Sequence, residues 1–552
     1  MPTREHPDPP GAVGDGRTAY PRLGAAAGDL AGAHLRFVHD FLRATLTTVR
    51  HGPGHPAATV APAAEDDRRF ADAAWTENRY FHLWQQYHLL GHRLATESID
   101  ALPLQQGDSR LLRFLADLAA GAVAPTNFLP GNPEALREAW RTRGRSLLRG
   151  AANLVADVLG NGGLPSLADA NAFVVGRDLA TTPGKVVFRN DTMELIQYEP
   201  RTPAVFSVPM LMSPPWVNKY YIVDLLPELS MIRWLVDQGH TVFAISYRNA
   251  DAGRRDVGFD HYLRDGLLSA LEVIADVTGS PQVNITGGCL GGTLALMLAA
   301  WTSHDAHSPV HSLTVLNALA DYADLANLSR AGTLGRLVGG GTPWVVDVLT
   351  RRRGYLSGRG LEAFFRVLQA DDLLWQAGVN NWLTGNSPPA YLVLRWSSDT
   401  MNVPRRAQRY LMRDLCLDNA LARGRCELAG RRLRLDRVWQ DTFVVASRDD
   451  HMISWTSAYR TLALLPGDVR FLLASGGHVG GLLASPAYWT RERGATPDPQ
   501  DWLLSADRHE GTWWEPWGRW LAERGGPLRD PPPTGSGRFP PLEDAPGLYV
   551  HG

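Results

Sequence analysis

Cysteine is scarce in this chain: its 552 residues hold three, Cys289, Cys416 and Cys426. That number excludes a disulfide framework and fits a reducing compartment, so a cytoplasmic location is expected. An excess of one charge is also missing. Lys and Arg total 55 against 57 Asp and Glu, a formal charge of −2, which excludes the basic field of a dedicated nucleic-acid binder. No apolar run approaches ~18 residues, so no membrane span is expected. The first 30 residues contain no apolar stretch of signal-peptide type, so no secretory signal is expected. There is no Walker A loop, no HExxH and no CxxC, and Cys416 and Cys426 lack histidines at zinc spacing. Neither nucleotide-type phosphate chemistry nor a metal site is expected. The remaining composition, 44% hydrophobic and 20% charged, is that of a globular protein. Its length suits roughly two to four domains.

Residues 1–66 read as a flexible tail and linker carrying one helix. Pro, Gly and Ala dominate 1–30, Leu35, Val38, Leu42, Leu46 and Val49 keep helical spacing, and 51–67 is a Pro- and Gly-rich linker. Residues 67–180 read as a helical domain. Leu111, Phe114, Leu115 and Leu118 form one apolar stripe, and Leu147, Ala151, Leu154 and Val158 another. The aromatic cluster Trp75, Tyr80, Phe81, Trp84 and Tyr87 is taken as packing between helices, against the alternative of a surface for an apolar partner. From 181 to 552 the texture changes. Short β-rich runs (185–190, 194–198, 206–212, 241–247, 283–286, 313–317, 442–447 and 469–474) interleave with amphipathic segments. That pattern predicts a mostly parallel sheet covered on both faces. Residues 321–390 interrupt it with a triple glycine (339–341), Arg351-Arg352-Arg353 and a helical stretch, and form a candidate cap.

The strongest local motif is Gly287-Gly288-Cys289-Leu290-Gly291-Gly292, between a strand and a helix. This is the strand–turn–helix setting of a nucleophile elbow, with glycines where strand and helix come close. Cys289 then sits at a helix N-terminus, which favours a thiolate. An elbow of this kind takes its acid and then its histidine from loops after later strands. The run 442–447 leads into Arg448-Asp449-Asp450-His451, and 469–474 leads into Ser475-Gly476-Gly477-His478. His478 is the candidate base. His451 competes, but it follows the acid directly. Spacing leaves Asp449 and Asp450 both open. The oxyanion hole draws on the backbone N–H of Leu290 and on the loop at 213–219, where the prolines leave Trp216 or Val217 as donor. A thiol in place of a serine hydroxyl suits transfer between thioesters, and so an acyltransferase fed by acyl-CoA.

Several segments together resemble the polyhydroxyalkanoate synthases. They are SPPWVNKYYIVDLLPELSMIRWLVDQGHTVFAISYRNADA (213–252), the GGCLGG elbow, NNWLTGNSPPAYLVLRWSSDTMNVP (380–404), ASRDDHMISW (446–455) and ASGGHVGG (474–481). DRRFADAAW (67–75), PTNFLPGNPEA (125–135), WWEPWGRWL (513–521) and PPLEDAPGLYV (540–550) add to the likeness. The resemblance implies an α/β-hydrolase core with a cap at about 321–390. It implies Cys289 as nucleophile, Asp450 rather than Asp449 as acid, His478 as base, and Trp396 beside the site. The substrate it implies is an (R)-3-hydroxyacyl-CoA, with the growing polyester as product and no separate cofactor. It further implies a homodimer and association with a granule surface. A thioesterase or polyester depolymerase on the same triad, or a non-catalytic granule protein, are the competing readings.

Overall fold

A computed structural model describes residues 19–50, 58–64, 67–104, 106–169, 172–324, 347–348, 350–491 and 496–552. The tail at 1–18, the linker at 51–57 and, within the expected cap, residues 325–346 with the triple glycine lie outside the described residues. The chain forms two compact units. One joins the described residues up to Pro165 with 369–386; the other holds those from Ser166 to 368 and from 387 to Gly552.

The first unit is helical: α1 (Ala19–Arg50), α2 (Arg79–Ala101), α3 (Gln106–Ala122) and α4 (Arg145–Gly160) are its long elements. α1 begins inside the stretch that shows no apolar periodicity, because alanine favours helix without needing a pattern. The stripe Leu35, Val38, Leu42, Leu46, Val49 faces outward, with Leu35 72% exposed. The packed face is Ala33, Phe41 and Ala44, where Phe41 stacks on Tyr87 at 4.2 Å. α4 turns its small and polar side inward: Ser146, Gly150 and Asp157 are buried, whereas Leu148, Leu154, Val155 and Val158 are exposed. The cause is a close backbone approach. A Cβ on Gly150 would collide with the carbonyl of Trp382, Asn153 Nδ2 donates to the carbonyls of Asn381 and Asn386 at 3.0 Å, and Trp382 Nε1 donates to Asp157 at 2.8 Å. Of the aromatic cluster, Trp75 is buried and Tyr80 and Trp84 are exposed.

The second unit is built on a ten-stranded sheet. Its strands are β1 (Gly184–Arg189), β2 (Met193–Tyr198), β3 (Met210–Ser213), β4 (Val242–Tyr247), β5 (Val283–Gly288), β6 (Val310–Leu316), β7 (Asp441–Ser447), β8 (Val469–Ala474), β9 (Ala487–Thr490) and β10 (Asp507–Glu510). The spatial order is β1-β2-β4-β3-β5-β6-β7-β8-β9-β10. The six strands from β4 to β8 in that order run parallel, and antiparallel strands extend both edges. Successive residues alternate between two cores: Leu195, Ile245 and Val444 point to one face, Ile196, Ala244 and Val445 to the other. Both faces being covered explains why these strands read as continuous apolar runs rather than alternating ones.

Helix α5 (Leu290–Thr302) follows β5 and is buried over nearly its whole surface. After it, α6 (Leu392–Ser397) and α7 (Trp514–Ala522) complete the elements that matter below. α7 seats Trp517 on the opposite face, its Nε1 donating to Thr314 Oγ1 at 2.9 Å. The expected α/β-hydrolase architecture is thus present. The carboxyl ends of β5, β7 and β8 lie in one region of the sheet, the usual place for a site in open α/β folds.

Candidate active site

Cys289 occupies the bend between β5 and α5 with φ +50 and ψ −125. Such a backbone is strained for a residue with a Cβ and is held by its surroundings. Its N–H donates to the carbonyl of Leu316 at 2.9 Å. The glycines around it leave room for the bend. A Cβ on Gly287 would lie 2.6 Å from the Gly291 carbonyl, one on Gly292 would lie 2.7 Å from Ala318, and one on Gly291 would collide with the Ser213 carbonyl. Gly288 has open space instead.

The loops after β7 and β8 bring the other two groups together. His478 Nδ1 donates to Asp450 Oδ2 at 2.7 Å, with the Asp450 side chain fully buried and that of His478 12% exposed. The other oxygen of Asp450 accepts the N–H groups of Met452 and Ile453 at 2.8 and 2.9 Å. Asp449 does a different job: it accepts the N–H of Gly476 at 3.2 Å, bracing the histidine loop. His451 is exposed. Burial lowers the proton affinity of His478, but hydrogen bonds to Asp450 and Cys289 and their charges outweigh it and leave the imidazole pushed up to about 10. His478 is thus hydrogen-bonded to Asp450 and lines one cavity with Cys289. The other two cysteines differ. Burial pushes Cys416 up to about 12 and Cys426 up to about 11, and Cys426 meets Tyr410 Oη at 2.7 Å.

A cavity of about 50 Å³ opens on Cys289 and His478. Met212, Ile222, Val223, Met231 and Leu482 make much of its wall apolar, and Trp396 on α6 closes another part. Trp396 is fixed by its Nε1, which donates to the Lys219 carbonyl at 2.8 Å. Leu290 opens α5, directly after Cys289. From the 213–219 loop, Ser213, Pro214 and Pro215 line the cavity, while Trp216 and Val217 are not among its lining residues. The ring of Trp216 is drawn into the core, stacked on Tyr262 at 4.6 Å and set edge-on to Phe259 at 4.9 Å. Sequence reasoning overlooked Asn317, the residue after β6, which joins these loops; its only signal was a polar residue ending an apolar strand. Among the described residues, no group of three or more His, Cys, Asp or Glu is placed to hold a metal ion, and no helix is long and apolar enough to cross a membrane.

Comparison with known proteins gives this geometry a family. The family described as the poly-beta-hydroxybutyrate polymerase (PhaC) N-terminus matches residues 66–235, and the alpha/beta hydrolase fold matches 213–484. The poly(3-hydroxyalkanoate) polymerase subunit PhaC of Cupriavidus necator is 36% identical across 98% of this chain and 93% of its own. The poly(3-hydroxyalkanoate) polymerase of Methylorubrum extorquens is 36% identical across 92% of this chain and 84% of its own. Poly(3-hydroxyalkanoate) polymerase 2 of Ectopseudomonas oleovorans is 35% identical across 88% and 86%. Similarity sustained over almost the full length of these relatives, together with the elbow and sheet order described above, makes the chain a member of the poly(3-hydroxyalkanoate) polymerase family, an acyltransferase built on the α/β-hydrolase fold.

Proposed function

We propose that this enzyme polymerises (R)-3-hydroxyacyl-CoA thioesters into polyester through an acyl-Cys289 intermediate, with release of CoA. The observation that carries the reading is the Asp450–His478 hydrogen bond beside Cys289, with His478 and Cys289 lining one apolar cavity. His478 takes the thiol proton, and the Cys289 sulfur attacks the thioester carbonyl. The negative oxygen that develops is met by the N–H of Leu290, a donor worth about 3 kcal/mol in sites of this type. Collapse breaks the bond to CoA sulfur, and the proton on His478 leaves with it. In the second half, His478 accepts the proton of a 3-hydroxyl group as that oxygen attacks the acyl-cysteine. The new ester bond forms, the Cys289 sulfur departs, and the chain is one unit longer. Asp450 holds the imidazole in the tautomer this requires and stabilises its charged form.

The substrate thioester is the only non-protein group the scheme needs, and no metal or separate cofactor enters it. The backbone N–H of Trp216 or Val217, on the same loop as the cavity-lining Pro214 and Pro215, is the proposed second oxyanion donor. The apolar walls of the cavity disfavour water as a competitor of the hydroxyl nucleophile. A homodimer working at a polyester granule surface completes the proposal. The test is incubation with (R)-3-hydroxybutyryl-CoA, following free CoA and insoluble polymer together. CoA release matched by polymer supports the reading; release matched only by free 3-hydroxybutyrate would show a thioesterase.

A further inference from the structure

Three loops of the site converge on one side chain that this chemistry does not use. Asn317 follows β6 with φ +41 and is 1% exposed. Its backbone N–H donates to Val445 on β7 at 2.9 Å. The residue before it, Leu316, accepts the N–H of Cys289. Its side chain reaches both remaining loops. Oδ1 accepts the N–H of Ser447 at 2.8 Å, and Nδ2 donates to Ser447 Oγ at 2.9 Å and to the His478 carbonyl at 2.6 Å. Ser447 in turn accepts the N–H of Asp450 through its carbonyl at 3.3 Å. It is gripped from the other side by Gly481, where a Cβ would lie 2.8 Å from that of Ser447.

We propose that Asn317 is a positioning residue for the polymerase reaction, its amide fixing His478 and the Asp450 turn against the Cys289 sulfur. The inference rests on the catalytic reading of that triad. Both amide hydrogens and the carbonyl oxygen of Asn317 are engaged, so the amide has one usable orientation: reversed, it would set NH₂ against an N–H and oxygen against a carbonyl. His478 is thereby pinned at its own carbonyl by Asn317 and at Nδ1 by Asp450. With those two points held, the remaining ring nitrogen has a single direction, toward the elbow. The titratable groups acting on the ring are Asp450 and Cys289, with His451 its neighbouring imidazole.

A purely structural role makes the opposite forecast. Asparagine tolerates left-handed backbone better than most residues, and glycine tolerates it better still. If Asn317 serves only its φ of +41, N317G is harmless. If the amide is needed, N317G loses it without straining the bend, and N317D keeps the shape while removing both donors. The full-length enzyme and both variants are compared for kcat and KM on 3-hydroxybutyryl-CoA, for the pH dependence of inactivation by iodoacetamide, and for melting temperature. The expected result is a fall in kcat of about 10- to 100-fold in folded N317G, with KM within about twofold. The inflection of its inactivation profile moves toward that of H478N. N317G with kcat and profile matching the parent overturns the proposal. A parent profile already matching H478N would instead remove the triad reading, and this inference with it.

Discussion

Asp450 and His478 meet at 2.7 Å, while Asp449, one residue earlier, binds the backbone of Gly476 instead. Two adjacent carboxylates thus have separable roles, one on the imidazole and one on the loop that carries it. D450N should lower kcat by about 10⁴-fold, because the amide favours the wrong imidazole tautomer. D449N should lower kcat no more than about tenfold, through loosening of the 475–478 turn. Steady-state kinetics on 3-hydroxybutyryl-CoA decides between them; equal losses in the two variants would contradict the assignment.

The protonation of His478 links the site to stability. Its folded-state value is raised from 6.5 to about 10. A raised basic group adds stability that is fully present below its unfolded value and disappears as pH rises through its folded value. Relative to H478N, the parent should therefore hold its largest melting-temperature advantage below pH 6.5 and lose it progressively toward pH 10. Thermal denaturation across that range measures it, and an advantage that grows with pH would contradict the sign.

The glycines of the elbow are unequal. G291A drives a Cβ into the Ser213 carbonyl, with the Pro214 carbonyl at 2.7 Å, and backbone cannot step aside as a side-chain tip can. It should destabilise the protein by about 1–3 kcal/mol or more and abolish turnover. G288A meets open space and should stay within ~0.5 kcal/mol of the parent. Chemical denaturation of both proteins checks the contrast.

Acyl length should follow from the cavity. About 50 Å³ walled by Met212, Ile222, Val223 and Met231 favours short side chains. M231A should raise kcat/KM for 3-hydroxyoctanoyl-CoA relative to 3-hydroxybutyryl-CoA by about tenfold, a change of roughly 1–3 kcal/mol in a hydrophobic pocket. Competition between the two substrates reads this ratio directly, and an unchanged ratio would place the acyl chain elsewhere.

The parallel strands and the elbow were legible because their signals are local. A strand covered on both faces is an unbroken apolar run, and a strained bend demands glycines at fixed offsets. The choice of Asp450 over Asp449 came from family resemblance, since spacing treats the two alike. The helical unit was harder. Apolar spacing locates α1 and α4 but selects the wrong inward face, because α4 approaches the 379–386 segment so closely that only Ser146, Gly150 and similar residues fit. β9 and β10 escaped notice because each is only four residues long, and Asp507–Glu510 at the edge carries no apolar pattern. Asn317 was missed for another reason: its partners lie 130 and 161 residues away, and the polar residue ending an apolar strand does not name them.

The most direct measurement is to quench the enzyme during turnover of 3-hydroxybutyryl-CoA and map the acyl group by mass spectrometry of its peptides. The account predicts a hydroxybutyryl thioester, or a short oligomer of it, on the peptide bearing Cys289, and no polymer from C289A. Polymer formation by C289A, or acylation confined to another residue, would contradict it.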